Sequence, residues 1–89
     1  MNKVVMITGG SRGIGKKMVE DFANNGYKVS FSYLNNEDSA KILQESLEKK
    51  GCQVIFKKVD ISKDDDIKEF IHFTLEKFGK IDILIYSCI

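Results

Sequence analysis

Val4-Val5-Met6-Ile7-Thr8-Gly9-Gly10-Ser11-Arg12-Gly13-Ile14-Gly15 is a short β-branched run that breaks into glycines and opens directly onto a helical pattern. Strand, glycine turn and helix in that order make a phosphate-binding turn. Glycines let the backbone turn tightly and approach a phosphate closely. The free N–H groups and positive dipole end of the following helix then attract it without a charged side chain. The bland alternative is a strand-to-helix turn that holds nothing.

Spacing separates the turns that use this chemistry. The strict dinucleotide fingerprint G-x-G-x-x-G is absent, because Met18 stands where the third glycine would follow Gly13 and Gly15. A triphosphate loop, G-x-x-x-x-G-K-[ST], is nearly met by Gly10, Gly15 and Lys16, but Lys17 replaces the hydroxyl needed on Mg²⁺ and would repel the metal. T-G-x-x-x-G-x-G is satisfied by Thr8, Gly9, Gly13 and Gly15.

Outward from this stretch the chain alternates strand and helix. Lys3 to Thr8 reads as a central parallel strand covered on both faces. From Gly13 the period changes, with Ile14, Met18, Val19, Phe22 and Ala23 as one helical stripe and Gly26 as the stop. Lys28 to Tyr33 alternates Val29, Phe31 and Tyr33 with Lys28, Ser30 and Ser32, a second strand. Leu34-Asn35-Asn36 supplies turn and cap, Glu37 and Asp38 the acidic first turn, and Ala40, Leu43 and Leu47 the stripe of a second helix that ends before Gly51. Val54 to Val59 is the third strand, ending in Asp60. In the third helix Ser62 and Asp65 are spaced as a capping box. Ile67, Phe70, Ile71, Thr74, Leu75 and Phe78 form its stripe, Gly79 terminates it, and Ile81 to Tyr86 is the fourth strand.

The 89 residues bound the answer to one small domain burying a little over ~60% of its unfolded surface. A formal charge of +1 argues against a nucleic-acid surface. No stretch approaches the ~18 apolar residues of a membrane span, and the run after Lys3 is too short for a secretory signal, so a cytoplasmic location is expected. Cys52 and Cys88 are far apart with no histidine cluster, and read as ordinary thiols with no metal site. Short connections and right-handed crossovers predict an α/β fold, a Rossmann-type doubly wound parallel sheet reduced to about four strands in the order 3-2-1-4 with three helices.

T-G-G-S-R-G-I-G resembles the glycine motif of the short-chain dehydrogenase/reductase family, and is very close to the form seen in its 3-oxoacyl-carrier-protein reductase-like members. Two further places carry the resemblance: Asp60-Ile61 after the third strand, and Phe78-Gly79-Lys80-Ile81-Asp82-Ile83-Leu84-Ile85, similar to the family's F-G-x-I-D-x-L-V. The departure follows at once, since Tyr86-Ser87-Cys88-Ile89 stands where the family has Asn-Asn-Ala-Gly. The family's Tyr-x-x-x-Lys pair is also absent, because Tyr27 meets Phe31, Tyr33 meets Glu37, and Tyr86 runs out of chain. The resemblance therefore implies that residues 1–89 are the dinucleotide-binding half of a Rossmann domain. Its parent would be an oxidoreductase, of the kind used in fatty acid biosynthesis, that moves hydride between nicotinamide and a carbonyl or alcohol, and the catalytic half would be missing. A stand-alone nucleotide-binding module and a triphosphate-binding protein are the alternatives.

On this reading Gly9, Ser11, Arg12, Gly13, Ile14 and Gly15 hold pyrophosphate and 2′-phosphate, and Asp60 and Ile61 hold the adenine. An NAD enzyme places a carboxylate about 20 residues beyond the glycines to bind the ribose. Counting from Gly15 lands on Asn35, with uncharged Tyr33 and Leu34 before it, so with Arg12 nearby NADP(H) is expected over NAD(H). Asp60 has a second reading as a helix cap, Asp82 belongs at the strand start away from the cofactor end, and His72 reads as a surface residue. Strand four is expected to be an unprotected edge, with Ile83, Leu84 and Ile85 facing water and self-association as the outcome.

Overall fold

In a computed structural model that describes residues 3–10 and 13–86, Val4–Thr8 forms β1 with every residue buried, as a central strand covered on both faces must be. The chain continues through α1 (Gly13–Asn24), β2 (Lys28–Tyr33), α2 (Glu37–Glu48), β3 (Val54–Lys58), α3 (Asp64–Phe78) and β4 (Ile83–Tyr86). The four strands form one sheet in the order β3-β2-β1-β4, all pairs parallel, as expected of a doubly wound fold.

Alternate residues of a strand point to opposite faces, and this sorts the core into two layers. Val5, Ile7, Val29, Phe31, Tyr33 and Val54 pack with Val19 and Ala23 of α1 and Ala40, Leu43 and Leu47 of α2. On the other face Met6 meets Val59 and Phe70, the latter from α3. Ser30 also points that way and is fully buried. Its hydroxyl lies 2.7 Å from Thr74 Oγ1, which in turn donates to the Phe70 carbonyl at 2.9 Å. A threonine hydroxyl has one proton, so Ser30 is the donor to Thr74 and the chain of bonds is fully used. α3 is thereby keyed to β2 by a polar contact inside an apolar layer.

Boundaries move where a side chain outcompetes the pattern. β4 begins at Ile83 and not at Ile81, because the Asp82 carboxylate takes the Val4 N–H at 2.8 Å and the Lys80 ammonium at 3.1 Å, so the strand starts two residues later than the pattern predicts. The capping box of Ser62 and Asp65 does not form. Lys63 is the N-cap of α3, without a side-chain bond, because Asp60 Oδ1 has captured both the Ser62 hydroxyl (2.6 Å) and its N–H (3.0 Å). That contact also sets aside Asp60 as the cap of this helix. Asn36 does cap α2, its Oδ1 accepting from Ser39 N–H at 3.1 Å. α3 ends on Gly79, whose φ of 82° only glycine adopts without strain, and whose N–H returns to the Leu75 carbonyl at 2.7 Å.

The stripes also need correcting. Ile14 is 63% exposed, and the buried line of α1 is Gly15, Val19 and Ala23, since close packing of α1 on β1 demands the glycine and turns its neighbour outward. Leu75, one step of about 100° round α3 from buried Thr74, is 41% exposed. Of the three strand-four side chains expected in water, Ile83 and Ile85 are instead half-buried against the main core, while Leu84 is exposed on the opposite face, as is Tyr86.

Candidate functional site

β1 is flanked by β2 on one side and β4 on the other, so the crevice at its carboxyl end lies where the chain's winding reverses, the position at which doubly wound sheets hold ligands. The glycine turn fills this position. Gly9 has φ of 72° and Gly13 of 63°, left-handed conformations that carry the backbone out of the sheet and into α1. Gly15 is required for a different reason. A Cβ there would overlap the Gly9 carbonyl oxygen and come within 3.1 Å of Gly10 Cα, so strand end and helix start can touch only through bare backbone. Gly10 is packed as closely, a Cβ there falling 2.6 Å from Phe31 Cβ and 2.8 Å from Val19 Cγ2.

The turn is tied down from β2. Ser32, 1% exposed, accepts from Gly9 N–H through its Oγ at 3.0 Å and from Gly10 N–H through its carbonyl at 2.9 Å. The Gly9 amide is therefore engaged within the protein, and Gly9 shapes the turn more than it offers a donor. Among the described residues of the turn, the donors that remain are those of the first turn of α1, which have no intrahelical acceptor. That turn contains no acidic residue, whereas α2 begins with Glu37 and Asp38 and α3 with Asp64, Asp65 and Asp66, so those two dipoles are met by their own carboxylates. Ser11 and Arg12 lie outside the described residues.

Parallel strands bring the other predicted residues to the same rim. Tyr33 ends β2, its ring 5.7 Å from Phe56 in an edge-on arrangement and only 9% exposed. Burial first, and then the Glu37 carboxylate, push its hydroxyl above the ordinary tyrosine value. Asn35 stands exposed in the turn beyond it, while Glu37 pairs with Lys41 at 3.5 Å. Asp60 follows β3, its N–H held by Asp66 Oδ2 at 2.9 Å. The Ser62 hydroxyl, then the Ser62 N–H, hold its carboxyl below the usual carboxylate range. Ile61 beside it is 39% exposed, and with Ile14 and Leu34 it gives the rim an apolar border.

Other predicted residues fall elsewhere. Asp82 is at the amino end of the sheet, as expected, and His72 is exposed on α3. The Cys52 thiol donates to the Ala23 carbonyl at 3.4 Å, and Cys88 lies outside the described residues. Among the described residues no group of histidine, cysteine, aspartate and glutamate side chains is arranged to hold a metal, and no helix is long and apolar enough to cross a membrane. Two contributors were missed in the sequence. Ser32 had no signal beyond being a polar residue inside an apolar strand, and Asp66 was one of three successive aspartates.

A parallel sheet in this order, with a glycine turn leading from its central strand into a helix whose first turn lacks carboxylates, defines the doubly wound α/β class. Within that class the model of the short chain dehydrogenase family matches residues 3–88, and the chain belongs to this family. It is 34% identical over 85 residues to the 3-oxoacyl-[acyl-carrier-protein] reductase FabG of Staphylococcus epidermidis, covering 96% of this chain and 35% of the relative. With the protein of the same name from Chlamydia pneumoniae it shares 41% identity over 85 residues, covering 96% and 34%. Among solved structures, a short-chain dehydrogenase/reductase from Serratia marcescens superposes with a TM-score of 0.95 at 30% identity, covering 98% of this chain and 36% of that one. An alcohol dehydrogenase from Thermococcus sibiricus, complexed with 5-hydroxy-NADP, gives a TM-score of 0.85 at 32% identity and covers 92% and 35%. The chain thus spans about a third of the length of the relatives it matches.

Proposed function

We propose that this chain is the cofactor-binding portion of a short-chain oxidoreductase, and that it binds a nicotinamide dinucleotide with NADP(H) preferred over NAD(H). The observation that carries the reading is the Gly9–Gly15 backbone contact, which aims the uncompensated amino end of α1 at the carboxyl end of the central strand. In this reading the amides of Gly13, Ile14 and Gly15, with Ser11 and Arg12, hold the pyrophosphate. Arg12 also pairs with the 2′-phosphate. Tyr33 and Asn35 flank the ribose, and Asp60 with Ile61 receives the adenine. The nearest acids beyond β2 are Glu37 and Asp38 in the first turn of α2, and the Glu37 carboxylate beside the Tyr33 hydroxyl is paired with Lys41 at 3.5 Å, which offsets its charge toward a 2′-phosphate. Lys17 is engaged with Asp21 at 3.6 Å on the outside of α1, which favours the dinucleotide over a Mg²⁺-triphosphate.

The parent activity would be hydride transfer between nicotinamide and a carbonyl or alcohol, as in 3-oxoacyl-carrier-protein reduction. The cofactor would supply the hydride chemistry and the protein its orientation. Residues 1–89 carry no Tyr-x-x-x-Lys and are expected to turn over no ketone. Calorimetric titration with NADPH and NADH tests the binding. A charge-assisted contact is worth roughly 1.5–3 kcal/mol, so NADPH should bind about tenfold or more tightly, and Arg12→Ala should narrow the gap. Equal or reversed affinities would overturn the preference, and no binding of either would overturn the reading.

A further inference from the structure

Ser32 is nearly inaccessible, yet it makes both bonds that fix the start of the glycine turn: Oγ to Gly9 N–H at 3.0 Å and carbonyl to Gly10 N–H at 2.9 Å. The carbonyl bond is what any residue could supply from that position. The Oγ bond is not, because it needs a hydroxyl on the sheet face opposite the α1 layer, at the height where β1 leaves the sheet. The ladder between β1 and β2 runs to Ile7↔Phe31, so Gly9 is already beyond regular pairing, and its φ of 72° is the point at which the backbone departs. Without the hydroxyl that half-buried amide, part of the Thr8–Gly9 peptide, would lack its acceptor or would rotate, and rotation changes the Gly9 φ that sets the direction of the next carbonyl, the one that rests against Gly15.

We propose that Ser32 is a positioning residue for the phosphate-binding turn: it touches no ligand, and its hydroxyl holds the Gly9 peptide so that the amides of α1 are aimed before a dinucleotide arrives. This rests on the dinucleotide reading for its effect on affinity, but the latch itself is a property of the unliganded chain. A preformed turn lowers the ordering cost at binding, so losing the latch weakens affinity without removing a contact.

Ser32→Thr keeps the hydroxyl on a side chain suited to a strand, and Ser32→Val has nearly the same shape without it. Two readouts are taken on residues 1–89: calorimetric affinity for NADPH, and amide hydrogen exchange at Gly9 with Val5 and Phe31 as references for the intact sheet. Ser32→Thr should match the wild type in both. Ser32→Val should bind about three- to tenfold more weakly, the range for one neutral hydrogen bond, with the Gly9 amide exposed and the reference amides still protected. Should Ser32→Val lose the reference protection as well, the smaller Ser32→Ala is measured in its place, with the same expectations. Equal NADPH affinity across the variants, or a Gly9 amide equally protected in all, would overturn the positioning role. If the wild type binds no NADPH, the dinucleotide reading fails, and Gly9 exchange alone decides the latch.

Discussion

The Gly9 carbonyl oxygen occupies the space into which a Cβ on Gly15 would project. Both partners are backbone, so no rotamer change can make room. Gly15→Ala should therefore separate α1 from β1, at a cost at or above the ~1–3 kcal/mol of an overpacked core. Among the described residues nothing lies within 4 Å of a Cβ at Gly13, and the constraint they show there is its φ of 63°. Gly13→Ala should lose about 1 kcal/mol, and Gly13→Asn less. Urea unfolding of the three variants checks the order, and a Gly15→Ala protein as stable as Gly13→Ala would refute the contact.

Thr74→Val removes the acceptor of the Ser30 hydroxyl, which is fully buried under α3. Leaving that donor without a partner should destabilise by about 1–3 kcal/mol, whereas adding Ser30→Ala should recover part of the loss, since removing both members of a buried pair is milder than removing one. A double-mutant cycle by denaturant unfolding measures this. Strictly additive losses would mean the two hydroxyls are not coupled.

The Val4 N–H, and then Lys80, hold the Asp82 carboxyl below the usual carboxylate range, and Ser62 does the same for Asp60. A pKa lower in the folded than in the unfolded chain stabilises above the unfolded value, about 3.9, and the contribution disappears as pH falls through the folded value. Thermal midpoints should thus be level near neutral pH and decline in acid, with Asp82→Asn and Asp60→Asn each flattening the acid limb. Identical acid limbs in wild type and both variants would show that neither carboxylate is linked to folding.

β4 pairs with β1 on one side only, and its side chains Leu84 and Tyr86 are 52% and 55% exposed, with Leu75 of α3 at 41%. Ile83 to Tyr86 carries no proline or charge to block pairing. Residues 1–89 should self-associate through this edge in light scattering over micromolar concentrations, and Leu84→Lys should reduce it. A monomer at every concentration, with β4 amides as protected as those of β1, would show the edge to be inert.

Sequence alone determined the order of elements, the parallel sheet with β4 outermost, and the glycine turn as its centre. These depend on periodicity, on glycines where the backbone must turn, and on caps such as Asn36, all of which act within a few residues. The chemical family was legible in the same way, from motifs on the turn and on Phe78–Ile85. What only the tertiary structure decided were contacts between residues distant in the chain. Ser32 looked like the polar half of an alternating strand, yet a partner 23 positions away makes it the anchor of the turn. Asp82 looked like a strand-start residue, and 78 positions separate it from the Val4 amide that shortens the strand. Asp60 and Ser62 competed as caps, and the fold gave them to each other. For Ser32 and Asp82 a hydrogen-bonding side chain had several local options, and the partner that won was one that only the packed sheet could bring near, whereas Asp60 and Ser62 are two residues apart and their pairing is a local choice that spacing alone left open.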